Sequence, residues 1–286
     1  MPDSSILFLP YKILNEQGKK WLVLISGFPD DENSFDQVCE KLPDCKCLCL
    51  SMPGFSQRIK QEIPRFGFTF DEIISALDQT IKIVIGTETK FDLLAHDWGS
   101  AIAFMYLQKK PKNIEKFITL DIGLYTPKSL TWKELVVDIG YKGTLALAFL
   151  WRAFGLPTIG ILCFALFPWK FLGPCPHEPS VPPSVAQFFK RPNLDMCYPY
   201  FQLFKGILTS TLKLPTPSSF PLPPCLFIYG KRKRIFFHSA AFLRSLQAAN
   251  NGSKVIAFDC GHFIQSQCPT ETANEVRTFL LSSSSS

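Results

Sequence analysis

Histidine and methionine are scarce in this chain of 286 residues, with four of each. No His or Cys pair stands at a metal-ligand spacing, so the sequence points to no metal centre. Charge of one sign is not concentrated anywhere. A net charge of +6, spread along the chain, gives no footprint for nucleic acid. No internal repeat is found. The first 18 residues lack the basic, apolar and cleavage regions of a secretory signal, so a cytoplasmic start is expected. In that compartment the ten cysteines are expected as thiols. Long apolar runs are also missing. The very apolar segment 143–173 has its longest uncharged stretch at Ala153–Trp169, 17 residues broken by Pro157 and Pro168. A membrane-spanning helix needs about 20, so cap helices lining an apolar pocket are the leading reading of this stretch, with shallow docking on a membrane face as the alternative.

The chain is rich in aromatics. It has 27 Phe residues, and hydrophobic residues make up 47% against 19% charged. That balance suits a soluble protein with a deep aromatic core or an apolar cavity. Its length suits one α/β domain, or such a domain with an insertion. Strand-length apolar runs stand at 21–26, 45–50, 91–95, 117–120, 226–229 and 254–258. Helical patterns follow at 33–42, 70–85, 99–108, 239–249 and 271–281, the second carrying Ile73, Ile74, Leu77, Ile81 and Val84 at helical spacing. Strands alternating with helices predict right-handed crossovers and a mostly parallel sheet flanked by helices. The alternation stops after Asp121 and resumes near 226. We therefore expect a helical cap at 127–215, inserted into a core made of 1–126 and 216–286. Cys45, Cys47 and Cys49 share one face of a strand and are read as small buried hydrophobes. The terminal Ser282–Ser286 run is read as a frayed tail.

One turn organises the rest. Leu94-Ala95-His96-Asp97-Trp98-Gly99 joins a strand pattern to a helix pattern, with a small residue two before Asp97 and a glycine two after it. That allows the sharp bend that presents one side chain at the carboxyl end of a sheet. A carboxylate placed there can attack carbon and form an alkyl ester, which water must then cleave. Cleavage needs a base, an acid to orient the base, and donors for an oxyanion. His262, in Asp259-Cys260-Gly261-His262-Phe263 just past the last strand, is the candidate base. For the acid, the loop after strand 226–229 reads Gly230-Lys231-Arg232-Lys233-Arg234 and holds no carboxylate. Asp121, 24 residues after Asp97 and also at a strand end, is preferred, with Asp259 a weaker rival too close to His262. The basic loop is read as a solvated charged loop, with nuclear import or anionic-lipid contact as sharper alternatives. The oxyanion donors would be the backbone N–H groups of Phe28, in the Gly27-Phe28-Pro29 turn, and Trp98.

Gly27-Phe28-Pro29, His96-Asp97-Trp98-Gly99 and Gly261-His262-Phe263 together resemble the epoxide hydrolase and haloalkane dehalogenase branch of the α/β-hydrolases. The resemblance implies an α/β-hydrolase fold and a cofactor-independent hydrolase with Asp97, His262 and Asp121 as its triad. Asp138-Ile139-Gly140-Tyr141 and Tyr198-Pro199-Tyr200 are similar to the segments bearing the two cap tyrosines of epoxide hydrolases, which implies Tyr141 and Tyr200 as substrate-binding proton donors. The Trp98 indole would match one halide-binding donor of the dehalogenases. The other is usually an Asn where Phe28 stands, so an epoxide is the favoured substrate and a haloalkane the alternative. Ser26 replaces the histidine that usually precedes Gly-Phe-Pro. With the basic loop, this keeps open a third reading, a weakly active or non-catalytic protein that binds lipid or another apolar ligand. The partner expected in every case is a hydrophobic small molecule.

Overall fold

The computed structural model describes residues 7–109, 111–125, 129–174, 181–216 and 222–282. The expected boundary at 126/127, His177 and the terminal serines from 283 onward lie outside the described residues. Seven strands form one sheet in the order β1-β3-β2-β4-β5-β6-β7. They are β1 (Tyr11–Leu14), β2 (Lys20–Ile25), β3 (Cys45–Leu50), β4 (Phe91–His96), β5 (Ile114–Leu120), β6 (Cys225–Gly230) and β7 (Lys254–Phe258). Only β1 runs antiparallel, pairing Tyr11 with Leu50 at the edge. The sequence reading left β1 out, because Tyr-Lys-Ile-Leu is half-exposed and too short to show an alternation. Elsewhere the expected strands are present, three of the six a residue or more longer.

The helices of the sheet layers are α1 (Asp36–Cys39), α2 (Phe70–Val84), α3 (Trp98–Gln108), α9 (Ala240–Ala248), α10 (Ile264–Gln267) and α11 (Pro269–Leu281). The expected helix 33–42 shrinks to the single turn of α1. A turn with Asp31 Oδ1 accepting from the Asn33 amide at 2.9 Å occupies the residues before it. In α2 the pattern is fulfilled: Ile73, Ile74, Leu77 and Ile81 are buried, and Thr69 with Glu72 forms a capping box, worth about 1 kcal/mol.

Buried strands alternate between two cores, as side chains on a pleated sheet must. Val23, Ile25, Leu48, Leu50, Leu93 and Ala95 face one side with α2, α3 and the inserted helices. Leu22, Leu24, Cys47, Cys49 and Leu94 face the other with α1 and α11. Cys45 joins that second face, so the three alternating cysteines are core residues. Cys49 lies 3.8 Å from Cys39, sulfur to sulfur. Among the described residues no group of His, Cys, Asp and Glu could hold a metal ion.

Between β5 and β6 the chain is helical, as expected: α4 (Trp132–Ala153), α5 (Pro157–Leu166), α6 (Trp169–Leu172), α7 (Pro183–Lys190) and α8 (Tyr198–Leu208). Thr131 and Glu134 cap α4 reciprocally, and α4 packs against both α5 and α8. No helix among the described residues is long and apolar enough to cross a membrane. The inserted helices roof the carboxyl ends of β4 and β5, and a cavity of about 350 Å³ lies beneath them.

Candidate active site

The register of the central strands sets the site. His96 of β4 pairs with Leu120 of β5, so Asp97 and Asp121 leave neighbouring strands at the same level. Asp97 is the hinge between β4 and α3 and takes φ 52°, ψ −125°, a backbone region that L-residues rarely adopt. Two close approaches make that turn dependent on glycine. A Cβ on Gly99 would stand 2.2 Å from the Ile25 carbonyl oxygen, and one on Gly27 would stand 2.6 Å from Asp97 Oδ2. Gly27 therefore lets the backbone of the next residue reach the carboxylate. The Phe28 N–H donates to Asp97 Oδ2 at 2.7 Å. Trp98 is the first residue of α3, where an amide has no intrahelical acceptor, and its N–H lies on the same side of Gly27.

The second carboxylate oxygen, Asp97 Oδ1, faces His262 Nε2 at 3.3 Å. His262 Nδ1 meets Asp121 Oδ2 at 2.5 Å. Base and acid are thus in line with Asp97, and all three side chains are largely buried. Asp259, the rival acid, is turned away. It forms an exposed ion pair with Arg232.

Asp121 has a partner that the sequence reading placed in solvent. Lys233 folds inward from the basic loop, its side chain fully buried, and its ammonium donates to Asp121 Oδ1. The Gly230 N–H donates to the same oxygen at 3.0 Å. Lys231 and Arg232 are exposed as expected, but Lys233 is not a solvated loop residue. It packs over the ring of Phe237 at 5.2 Å. The signal was available. Moving the acid to Asp121 leaves the usual acid position facing the triad, and a lysine two residues before Ile235-Phe236-Phe237 fills it.

Burial opposes the charge on Asp121, yet Lys233 and His262 beside it hold its carboxyl far below the usual range. Burial opposes the charge on Asp97 too, and His262, His96 and the Phe28 amide outweigh it. Burial alone would lower His262, but the two flanking carboxylates raise it to about 10. With Asp97 ionised, His262 is an imidazolium.

A second layer fixes the histidine loop. His96 is completely buried, and its Nε2 lies 3.0 Å from the His262 carbonyl oxygen. Its Nδ1 lies 3.1 Å from Gln265 Nε2, which assigns the proton to Nε2. Burial and the nearby His262 push its pKa down to about 4, so this ring is a neutral strut. Gln265 also donates to Asp30 Oδ2 at 3.2 Å, and Ser184 of α7 donates to Asp30 Oδ1. Ser26, at the place of the expected histidine, is buried and donates to the Leu50 carbonyl oxygen at 3.1 Å. It anchors the strand end without reaching the site.

Across the cavity from Asp97 stand the two tyrosines. Tyr141 of α4 and Tyr200 of α8 are both buried, with ring centroids 6.3 Å apart. Both line the cavity with Asp97 and Trp98. Burial pushes both phenols well above 10, and the Asp97 charge adds to the rise, so both stay protonated. The remaining wall is apolar, formed by Met105, Leu135, Ile139, Leu203, Phe204 and Phe237. One polar cluster interrupts it. Lys142 donates to the Tyr125 hydroxyl at 2.6 Å and pairs with Asp138 at 2.6 Å. Nothing in the sequence reading anticipated this cluster. Its trace there is an Asp and a Lys four apart on one helix.

Comparison with known proteins agrees with the architecture. A family model described as the alpha/beta hydrolase fold matches residues 20–142. A probable serine hydrolase from Drosophila melanogaster is 28% identical over 103 residues, 36% of this chain and 30% of the relative. The match thus spans under a third of that protein. A single-residue variant of an epoxide hydrolase from Bacillus megaterium superposes with a TM-score of 0.68, at 14% identity over 95% of this chain and 97% of the other. A loop variant of a haloalkane dehalogenase from Bradyrhizobium elkanii superposes at 0.67, with 16% identity over 94% and 91%. The chain has the α/β-hydrolase fold.

Proposed function

We propose that the protein is a hydrolase that opens hydrophobic epoxides to diols. The observation that supports this most strongly is the division of labour on Asp97. One oxygen takes the Phe28 N–H at 2.7 Å and the other faces His262 at 3.3 Å, beneath two protonated phenols in an apolar cavity. Oδ2 is committed to the oxyanion site, so Oδ1 is the attacking atom. It bonds to an epoxide carbon as the ring C–O bond breaks, and the departing oxygen takes a proton from Tyr141 or Tyr200. Without that proton the leaving group would be an alkoxide.

Esterification cancels the charge on Asp97. His262 then keeps only Asp121 as an anionic neighbour, its affinity for the proton falls, and the proton restores the tyrosine. The neutral ring takes a proton from water. The resulting hydroxide attacks Cγ of Asp97, and the N–H groups of Phe28 and Trp98 receive the oxyanion. Collapse breaks the ester C–O bond, His262 gives its proton to the departing alcohol oxygen, the diol leaves, and the carboxylic acid left on Asp97 passes its proton to His262. The sum is one epoxide and one water to one diol, with no other reactant.

The test is diol formation from aryl and fatty epoxides, with haloalkanes and carboxylic esters alongside. The epoxides are expected to turn over in the wild type and not in Asp97→Asn. Halide release without diol formation would transfer the reading to a dehalogenase, and no turnover of any substrate would leave a ligand-binding protein.

A further inference from the structure

The inserted helices leave an apolar face uncovered. Of the ten residues of α5 (Pro157–Leu166), only Gly160 and Phe164 are buried. Leu162 is 55% exposed and Leu166 74%. The face continues onto α6, where Phe171 is 69% exposed, and α7, where Phe189 is 46% exposed. It is one surface. The Trp169 ring lies 4.8 Å from Phe164 and 5.4 Å from Phe189, and Phe164 lies 5.6 Å from Phe189. Soluble proteins seldom leave contiguous apolar faces open unless something docks there.

Among the described residues, the charges beside the face in the chain are of one sign. The described residues from Ala153 to Pro174 and from Val181 to Arg191 include Lys170, Lys190 and Arg191 and no carboxylate. Glu178, between those two ranges, lies outside the described residues, and Asp195, past Arg191, is paired with Arg152. The basic loop after β6 leans on the same edge. Its Arg234 N–H donates to the Pro174 carbonyl oxygen at 3.0 Å, and its guanidinium donates to the carbonyl oxygens of Gly173 at 3.0 Å and Lys170 at 2.7 Å. An apolar surface whose described neighbours in the chain are cations matches a bilayer leaflet whose acyl region lies under anionic headgroups.

We propose that α5, α6 and α7 dock the protein on anionic membrane surfaces. Leu162, Leu166, Phe171 and Phe189 enter the acyl boundary, while Lys170, Lys190 and Arg191 remain among the headgroups. The helices lie in the interface and do not cross it, consistent with Pro157 and Pro168 bounding α5 and with the lack of a spanning helix among the described residues. A second copy of the chain would meet the same cations with cations, which disfavours self-association through this face. The inference stands apart from the chemistry at Asp97.

The experiment is co-sedimentation of the full chain with phosphatidylcholine vesicles, with and without phosphatidylserine. The wild type is expected to bind the phosphatidylserine vesicles and to be released by salt. Leu162→Glu with Leu166→Glu should abolish binding without changing the unfolding temperature, since both side chains are exposed. Lys190→Ser with Arg191→Ser should weaken it on the order of tenfold or more. Three results would each overturn the proposal: no sedimentation with either vesicle, equal sedimentation of the Glu variant, or a concentration-dependent dimer lost in the Glu variant with no vesicle binding.

Discussion

Lys233 stands fully buried against Asp121, its ammonium on the carboxylate oxygen that His262 leaves free. The acid of the site is therefore held from both sides, by a ring that exchanges protons and by a cation that does not. Removing one member of a buried ion pair leaves the other uncompensated. Lys233→Met is expected to lower stability by about 3 kcal/mol, read by urea unfolding. It should also raise the apparent pKa of the ester-hydrolysis step, because His262 loses a nearby positive charge. Lys233→Arg should restore most of that pKa. A purely structural lysine would move stability and leave the pH profile in place.

The charge on Asp97 makes the two chemical steps respond differently to pH. Alkylation uses ionised Asp97 and protonated phenols. Its rate should be flat from neutral to alkaline pH and fall only in acid, below the ordinary carboxylate range, since Asp97 is held down. Ester hydrolysis needs neutral His262. Its rate should rise with pH through a value well under the resting value of about 10, because the ester has removed one flanking anion. Rapid-quench measurements of each step distinguish this from a single shared pKa.

Tyr141→Phe and Tyr200→Phe test the leaving-group proton. General-acid assistance contributes typically about 10²–10⁴-fold. Each single variant is expected to slow alkylation, and the double variant by roughly that whole factor, with hydrolysis of a preformed ester little changed. An equal loss in both steps would mean that the rings only shape the cavity.

Asp30 predicts a pH-dependent stability. It is buried between Ser184 and Gln265, and burial raises its carboxyl to about 7. An acid whose folded pKa is raised binds its proton more tightly in the native state. Its contribution is full below about pH 4 and is lost as pH rises toward 7. Asp30→Asn should remove that slope and raise stability at pH 8 by up to a few kcal/mol. Melting temperatures of both proteins between pH 5 and 8 check it.

How much of this was legible in the sequence follows from how far each interaction reaches. Asp97 could be read because the turn that presents it is built from adjacent residues, with Ala95 and Gly99 two away on either side. His262 and Asp121 followed from strand ends, since a parallel sheet delivers them all to one edge. Helix α2 was visible in its apolar spacing. The misses are of other kinds. β1 is a four-residue edge strand whose identity comes from pairing with β3, not from its own pattern. Lys233 looked solvated because charge runs usually are, and only the empty acid position argued otherwise. The strut of His96, Gln265 and Asp30 joins residues 169 and 235 positions apart, a distance over which no local rule operates.

The most direct test of the account is the mass of His262→Gln after incubation with a hydrophobic epoxide. The account predicts that Asp97 is still alkylated while water is no longer activated. The protein should then gain the mass of one epoxide, located by peptide mapping on Asp97, and Asp97→Asn with His262→Gln should gain nothing. Substrate consumption by His262→Gln with no adduct on Asp97 would contradict the ester mechanism.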